Sequence, residues 1–238
     1  MITYIQRNSF NLPHHYDCAC AMYGSTDLGI ESKLISFDEI DGVSDYVLKN
    51  NLFVGSVEFM TKIFNRFNKS PRVELNSNRE EELTKLGQAK KRILNGEKLF
   101  IKPKQIKLFN GMVCTKDLIS CLNPYSDDID VIVTKPFDKD INSEWRCYMN
   151  NSKVGNPIVD IRNYSGDQFI LPNKDFILEV FNKYPEFPKS YTIDIAILSN
   201  GENLVVEFND MWAIGNNGID NEDYLKLLKK RYFQIVNF

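Results

Sequence analysis

TIDIAILSNGENLVVEFNDMWAIG, residues Thr192–Gly215, reads as two short strands joined by a turn at Asn200-Gly201. Asn-Gly is a strong hairpin signal, because both central positions of a type I′ turn need φ > 0. A two-residue turn places Asp194 opposite Glu207 and Thr192 opposite Asn209. Side chains alternate along a strand. Ile193, Ile195 and Ile197 are therefore expected to share one face with Leu204, Val206 and Phe208, and Asp194, Glu207 and Asn209 to share the other. Cross-strand neighbours lie about 5 Å apart at Cβ, where like charges repel. Two facing carboxylates and an amide oxygen call for a cation, and such oxygen ligands suit Mg²⁺ or Mn²⁺ better than zinc. The plainer alternative is an amphipathic hairpin with a wet, acidic outer face. Asp210–Gly215 leaves the alternation and is expected to form a loop, the part of a chain that most often carries function.

The composition sets the frame. The chain has 238 residues, enough for a real core and for more than one small domain. Apolar content of 43% and charged content of 26% are those of a globular protein. A net charge of −3 gives no strong global field for nucleic acid or an anionic membrane. No apolar run reaches the length of a membrane span, and the first residues lack the apolar core of a signal peptide. Five cysteines, an odd number without regular spacing, point to reduced thiols and a cytoplasmic setting.

Along the chain, Met1–Gln6 is expected to be an edge strand. His14, His15, Cys18 and Cys20 lie close together, but their spacing matches no zinc pattern, and they read as a surface loop followed by small buried residues. Leu52–Val54 reads as a buried strand, followed by Ser56 as the N-cap of a helix with an apolar stripe at Val57, Met60, Ile63, Phe64 and Phe67. Arg79–Leu94 has helical character, with acids near its start, bases near its end and Asn95-Gly96 to stop it. Strands are expected at Lys98–Lys102, Gln105–Phe109, Met112–Thr115, Asp130–Thr134, Glu144–Met149 and Ile158–Arg162, with Arg162–Asp167 as a loop. Helices follow at Lys174–Tyr184, capped by Asn173, and at Asp220–Ile235, whose basic end Lys229–Arg231 reads as a solvated face.

Five segments in order carry a resemblance: GSVEF (Gly55–Phe59), FIKP (Phe100–Pro103), SEWRCYM (Ser143–Met149), RNYSGD (Arg162–Asp167) and VEFNDMWAIG (Val206–Gly215). Together with the Asp194, Glu207 and Asn209 arrangement they resemble the ATP-grasp superfamily, and more narrowly a compact clade of it found in bacteria and phages. The resemblance implies an α+β ATP-grasp fold, two subdomains gripping ATP, preceded by a small α/β N-terminal domain. The expected divisions are 1–95 for that domain, 96–135 for the small subdomain and 136–238 for the C-terminal subdomain with the metal site.

It also implies roles. Lys102 would contact the nucleotide phosphates, a task that suits a compact charge on a flexible stem. Thr134, Lys135, Pro136 and Phe137 would form the hinge that meets adenine, with Asp138 at the ribose and Glu144 in the nucleotide site or holding Arg146. Arg146 would be a phosphate ligand and Arg162 a catalytic or substrate contact, with Tyr164 and Asp210 on the acceptor side. Asp194, Glu207 and Asn209 would hold Mg²⁺ or Mn²⁺. Many members carry arginine two residues before the first metal carboxylate; here that residue is Thr192, and Arg146 or Arg162 would supply the charge. The implied reaction is ATP-dependent ligation of a carboxylate, of an amino-acid or peptide-like substrate, to an amine through an acyl phosphate. The alternatives are an ATP-grasp kinase or phosphotransferase, a non-catalytic nucleotide-binding module and an interaction protein.

Overall fold

A computed structural model describes residues 1–77, 81–104, 108–137, 140–152 and 155–238. The chain divides into two compact units, residues 1–76 with 141–238 and residues 77–140.

The first unit begins with an α/β layer: β1 (Thr3–Gln6), α1 (Tyr16–Asp27), β2 (Ser32–Ile35), α2 (Asp45–Asn50), β3 (Leu52–Val54) and α3 (Val57–Asn65). The strands are parallel in the order β2-β1-β3, so β1 is the centre of its sheet and not the expected edge. The segment expected to be a loop and small buried residues is α1. His15 caps it by accepting from the Cys18 amide at 3.4 Å, and Cys18, Cys20, Ala21, Gly24 and Ser25 form its buried side. Small residues there let α1 approach the C-terminal helix closely. Alanine is ordinarily the better helix former by about 1 kcal/mol, but a Cβ on Gly24 would lie 2.1 Å from the Asn221 carbonyl oxygen. The clash wins. Gly24→Ala is expected to lower stability by about 1–3 kcal/mol, read as a lower urea midpoint; an unchanged midpoint would refute so close an approach.

β4 (Glu74–Ser77) ends this stretch. The second unit holds β5 (Glu82–Lys85), α4 (Leu86–Leu94), β6 (Leu99–Pro103), β7 (Met112–Cys114) and β8 (Asp130–Thr134), in a sheet ordered β5-β8-β6-β7. The helix expected over Arg79–Leu94 begins only at Leu86, because Glu82–Lys85 pairs antiparallel with Asp130–Val133. Residues 105–107 of the expected strand Gln105–Phe109 lie outside the described residues, and Phe109 packs on Tyr125 with ring centres 4.7 Å apart. Leu86, Ile93, Leu99, Ile101, Val131 and Val133 make this unit's own core.

The first unit resumes with β9 (Ile141–Asn150), β10 (Ile158–Gly166), α5 (Lys174–Asn182), β11 (Ser190–Leu198), β12 (Asn203–Asp210) and α6 (Asn221–Asn237). Their five-stranded sheet has the order β10-β9-β11-β12-β4. Arg162–Gly166, expected as a loop, continues β10, since Ser165 and Gly166 pair with Glu144 and Ser143.

The central hairpin reaches its expected register by a different route. Leu198 donates to Glu202 O and Gly201 to Leu198 O, which makes the turn three residues long, with Gly201 at φ +84°. That shifts the pairing by one residue, so Ile195 faces Val205. An irregularity at Val206 then shifts it back, and Asp194 faces Glu207, and Thr192 Asn209, as expected. The two offsets cancel before the acidic pair. The apolar face is corrected with them: Val205, and neither Leu204 nor Val206, joins Ile193, Ile195 and Phe208 in the core under α5.

Candidate active site

Pairing across four strands brings the polar residues into two rows. Arg162, Arg146, Asp194 and Glu207 stand opposite one another along β10, β9, β11 and β12. The adjacent row on the same face is Asp160, Tyr148, Thr192 and Asn209. The apolar partners of these strands, Cys147, Ile161, Ile193 and Phe208, point the other way into the core. That alternation fixes which side chains meet.

Arg146 holds Asp194 with both prongs of its guanidinium, Nε to Oδ1 at 2.9 Å and Nη2 to Oδ2 at 2.7 Å. Such forked pairs are among the stronger polar contacts in proteins. Its guanidinium carbon lies 5.0 Å from the centre of the Tyr164 ring, within cation–π range. Arg162 is paired to Asp160 at 2.7 and 2.5 Å. Asn209 Nδ2 donates to Glu207 Oε1 at 2.8 Å and to Asp194 Oδ2 at 3.4 Å. Thr192 is fully buried and its hydroxyl has no hydrogen-bond partner among the described residues.

Asp194 is only 6% exposed. Burial raises its carboxyl pKa, the hydrogen bonds and charge of Arg146 oppose the rise, and the Glu207 charge adds to it. Burial works against the Arg146 charge, but Asp194 outweighs it and the guanidinium pKa stands above its ordinary value. Burial also raises the Tyr148 phenol, which stays a neutral donor and bonds to the carbonyls of Gly215 at 2.9 Å and Asn216 at 2.7 Å.

In the second unit, Lys102 and Phe100 lie on the side of β6 away from the core residues Leu99 and Ile101. The Lys102 ammonium is 3.1 Å from Glu81 Oε1. Thr134 is buried, with a hydroxyl that has no hydrogen-bond partner among the described residues. Thr134 and Lys135 line a cavity of about 300 Å³ together with Glu82, Arg92, Glu97 and Lys98. Pro136 and Phe137 follow, and Asp138 lies outside the described residues.

A family model for an ATP-grasp domain, the second family of its clade, matches residues 77–227, more than half of the chain. The chain belongs to that ATP-grasp family. Solved structures of similar fold include the D-cycloserine synthetase DcsG, at 12% identity and TM-score 0.57, over 99% of this chain and 100% of that one. The ATP-grasp ligase PsnB, in a complex with a phosphomimetic variant of its minimal precursor, Mg and ADP, is similar at 10% identity and TM-score 0.59, over 97% of each chain. The D-alanine–D-alanine ligase of Bacillus anthracis is similar at 12% identity and TM-score 0.52, over 99% of this chain and 98% of that one. No curated protein matches in sequence.

In this ATP-grasp chain the residues read as metal ligands meet on one face. Two carboxylates and an amide oxygen are hard donors of the kind that Mg²⁺ and Mn²⁺ take, so the set fits such an ion. Asparagine ligates through oxygen, so its amide, now donating to both carboxylates, would have to turn over. Among the described residues no group of three or more His, Cys, Asp or Glu is placed to hold a metal ion.

Asp210 is placed differently from its acceptor-side expectation. It is fully buried, and both oxygens accept from Arg231 of α6 at 2.6 Å. Arg231, read as part of a solvated basic end, is thus an anchor. The segment after Asp210 opens with a 3-10 turn, Met211–Ala213, and is pinned throughout. Trp212 Nε1 donates to Arg72 O at 3.2 Å, the Tyr224 hydroxyl to Ile214 O at 2.8 Å, and the Asn216 amide to Asp17 Oδ1 at 2.7 Å. Sequence reading missed Asp17, Tyr148 and Arg231 in these roles. Asp160 carried a usable signal, two residues before Arg162 on one strand face.

Proposed function

We propose that this ATP-grasp chain is a Mg²⁺- or Mn²⁺-dependent ligase that uses ATP to join a carboxylate to an amine, acting in the cytoplasm. The row Arg162–Arg146–Asp194–Glu207, with Asn209 beside it, carries the reading: two cationic forks and a hard-oxygen pair are aligned on one sheet face. Asp194, Glu207 and Asn209 would hold the divalent ion, which when bound supplies charge neutralisation at the nucleotide phosphates. Arg146 and Lys102 would bind phosphate oxygens and spread the charge that develops during transfer. Thr134, Lys135, Pro136 and Phe137 are the proposed adenine hinge, with Asp138 at the ribose and Glu144 in the nucleotide site. The buried Thr134 hydroxyl, which has no hydrogen-bond partner among the described residues and lies beside a cavity, supports a polar ligand there.

In the proposed reaction a substrate carboxylate oxygen takes the terminal phosphoryl group of ATP, and ADP leaves. The amine nitrogen then attacks the acyl carbon, losing a proton, and inorganic phosphate leaves. Arg162 and the exposed Tyr164 are the proposed acceptor contacts. PsnB, which has also been solved with a precursor peptide, and the D-alanine–D-alanine ligase favour a peptide or amino-acid substrate here.

A ligand that binds only the folded state raises the melting temperature, by the equivalent of about 2.7 kcal/mol at one hundred times Kd. MgATP is expected to give such a shift in the native protein, and Glu207→Ala to lose most of it while keeping its ligand-free melting temperature. Absence of any shift in the native protein would sink the nucleotide reading. Phosphate release that depends on added amine separates a ligase from a kinase.

A further inference from the structure

We infer that Arg146 stands in for the metal ion on Asp194 in the ligand-free fold, so that divalent cation and nucleotide bind here as a coupled pair and the cation alone binds weakly. This rests on the metal reading proposed above and adds a binding order at the same residues. The Arg146 fork takes both Asp194 oxygens, at 2.9 and 2.7 Å. The Asn209 amide nitrogen takes Glu207 Oε1 at 2.8 Å and leans on Asp194 Oδ2 at 3.4 Å. Both Asp194 oxygens and Glu207 Oε1 are therefore already hydrogen-bonded.

A cation arriving alone must lift Arg146 off Asp194. The guanidinium side chain is only 11% exposed, so it would be left largely buried, without its counter-charge and beside a second positive charge. Unpaired buried charge is strongly unfavourable. A nucleotide removes that penalty, because phosphate oxygens accept the same two-pronged fork that carboxylate oxygens do. The neighbouring residues suit such an exchange. Arg162, directly opposite Arg146, is neutralised by Asp160 and does not compete for Asp194. Tyr164 offers its ring to the guanidinium, a contact that needs no fixed anion. Tyr148, the next residue along that face, spends its hydroxyl on the Gly215 and Asn216 carbonyls. Coupling of this kind is reciprocal: whatever the phosphates gain from the cation, the cation gains from the phosphates.

Mn²⁺ is the probe, with free ion measured by electron paramagnetic resonance during titration of the full chain. Native protein is titrated with and without a saturating non-hydrolysable ATP analogue. The analogue is expected to tighten Mn²⁺ binding about 5- to 150-fold. Arg146→Gln is expected to tighten binding of Mn²⁺ alone by about tenfold and to shrink the effect of the analogue. Arg146→Lys keeps the charge without the fork and should fall between; it carries the test if the glutamine variant does not fold. Equal Mn²⁺ affinity with and without the analogue in native protein overturns the coupling but leaves the metal site standing. No Mn²⁺ binding under either condition overturns the metal reading itself, and this inference with it.

Discussion

Arg231→Ala is expected to cost about 3–5 kcal/mol of folding stability at neutral pH, the usual penalty for breaking a buried ion pair from one side. Asp210 is fully buried and Arg231 is 12% exposed at its side chain, so water can repair little of the loss. Both carboxylate oxygens accept from the guanidinium at 2.6 Å, and Arg231 Nη1 also reaches Gln234 Oε1 at 2.9 Å. Without Arg231 the carboxylate is left in a low-dielectric site, where burial already pushes its pKa up. The folded variant then binds a proton more readily than the unfolded chain, so its stability falls as pH rises through the ordinary carboxylate range. The deficit relative to native protein should be smaller near about pH 4 than at neutral pH. Urea midpoints at the two pH values test this. A loss under about 1 kcal/mol at neutral pH would place the pair with solvent-screened surface bridges. The pair matters for the site because Asp210 directly follows Asn209, and its amide donates to Val73 O at 2.7 Å. Asp210 thus ties the end of the Glu207–Asn209 strand to both α6 and the β4 side of the sheet.

The hairpin shows how far sequence reaches. Asn200-Gly201 announced a turn, and the facing of Asp194 and Glu207 followed from counting outward. The count came out right although the turn is one residue longer than a type I′ loop, because the irregularity at Val206 removes the offset. A trace of this was present: Leu204, Val205 and Val206 are three apolar residues in succession, which strict alternation forbids on a half-buried strand. The N-terminal layer was harder to read because α1 buries Cys18, Cys20, Ala21, Gly24 and Ser25, small residues that leave almost no apolar periodicity. Arg162–Gly166 has turn-like composition, and only pairing with β9 makes it a strand. Likewise Glu82–Lys85 looks helical until Asp130–Val133 claims it. Tertiary pairing overrode local propensity in both cases. The Arg146–Asp194 contact was invisible for a different reason: the two residues are 48 apart in sequence, and only the direct pairing of β9 with β11 sets them opposite each other.

That contact separates stability from chemistry. Asp194→Asn is expected to lower ATP-dependent turnover by about 10²–10³-fold or more, since it removes the charge of a proposed metal ligand where electrostatic stabilisation dominates. It should also destabilise the fold by about 3 kcal/mol, the low end for a broken buried pair, because asparagine keeps one acceptor for Arg146 while withdrawing the counter-charge. Adding Arg146→Gln removes the stranded cation and leaves two neutral amides facing each other across β9 and β11. Replacing both members of a buried ion pair costs far less than replacing one. The double variant should therefore be more stable than Asp194→Asn alone, with a coupling of about 0.5–3 kcal/mol in a double-mutant cycle. Turnover should not recover with stability, because neither amide restores the carboxylate proposed to hold the ion or the fork proposed to hold the phosphates. Urea midpoints and ADP release, measured on the four proteins of the cycle, read the two quantities separately. Recovery of turnover in the double variant would show that the single variant failed by unfolding, and Asp194 would lose its role as a metal ligand. Additive stability losses would show instead that Arg146 and Asp194 are not a linked unit, and the row across the sheet would owe its alignment to the backbone pairing alone.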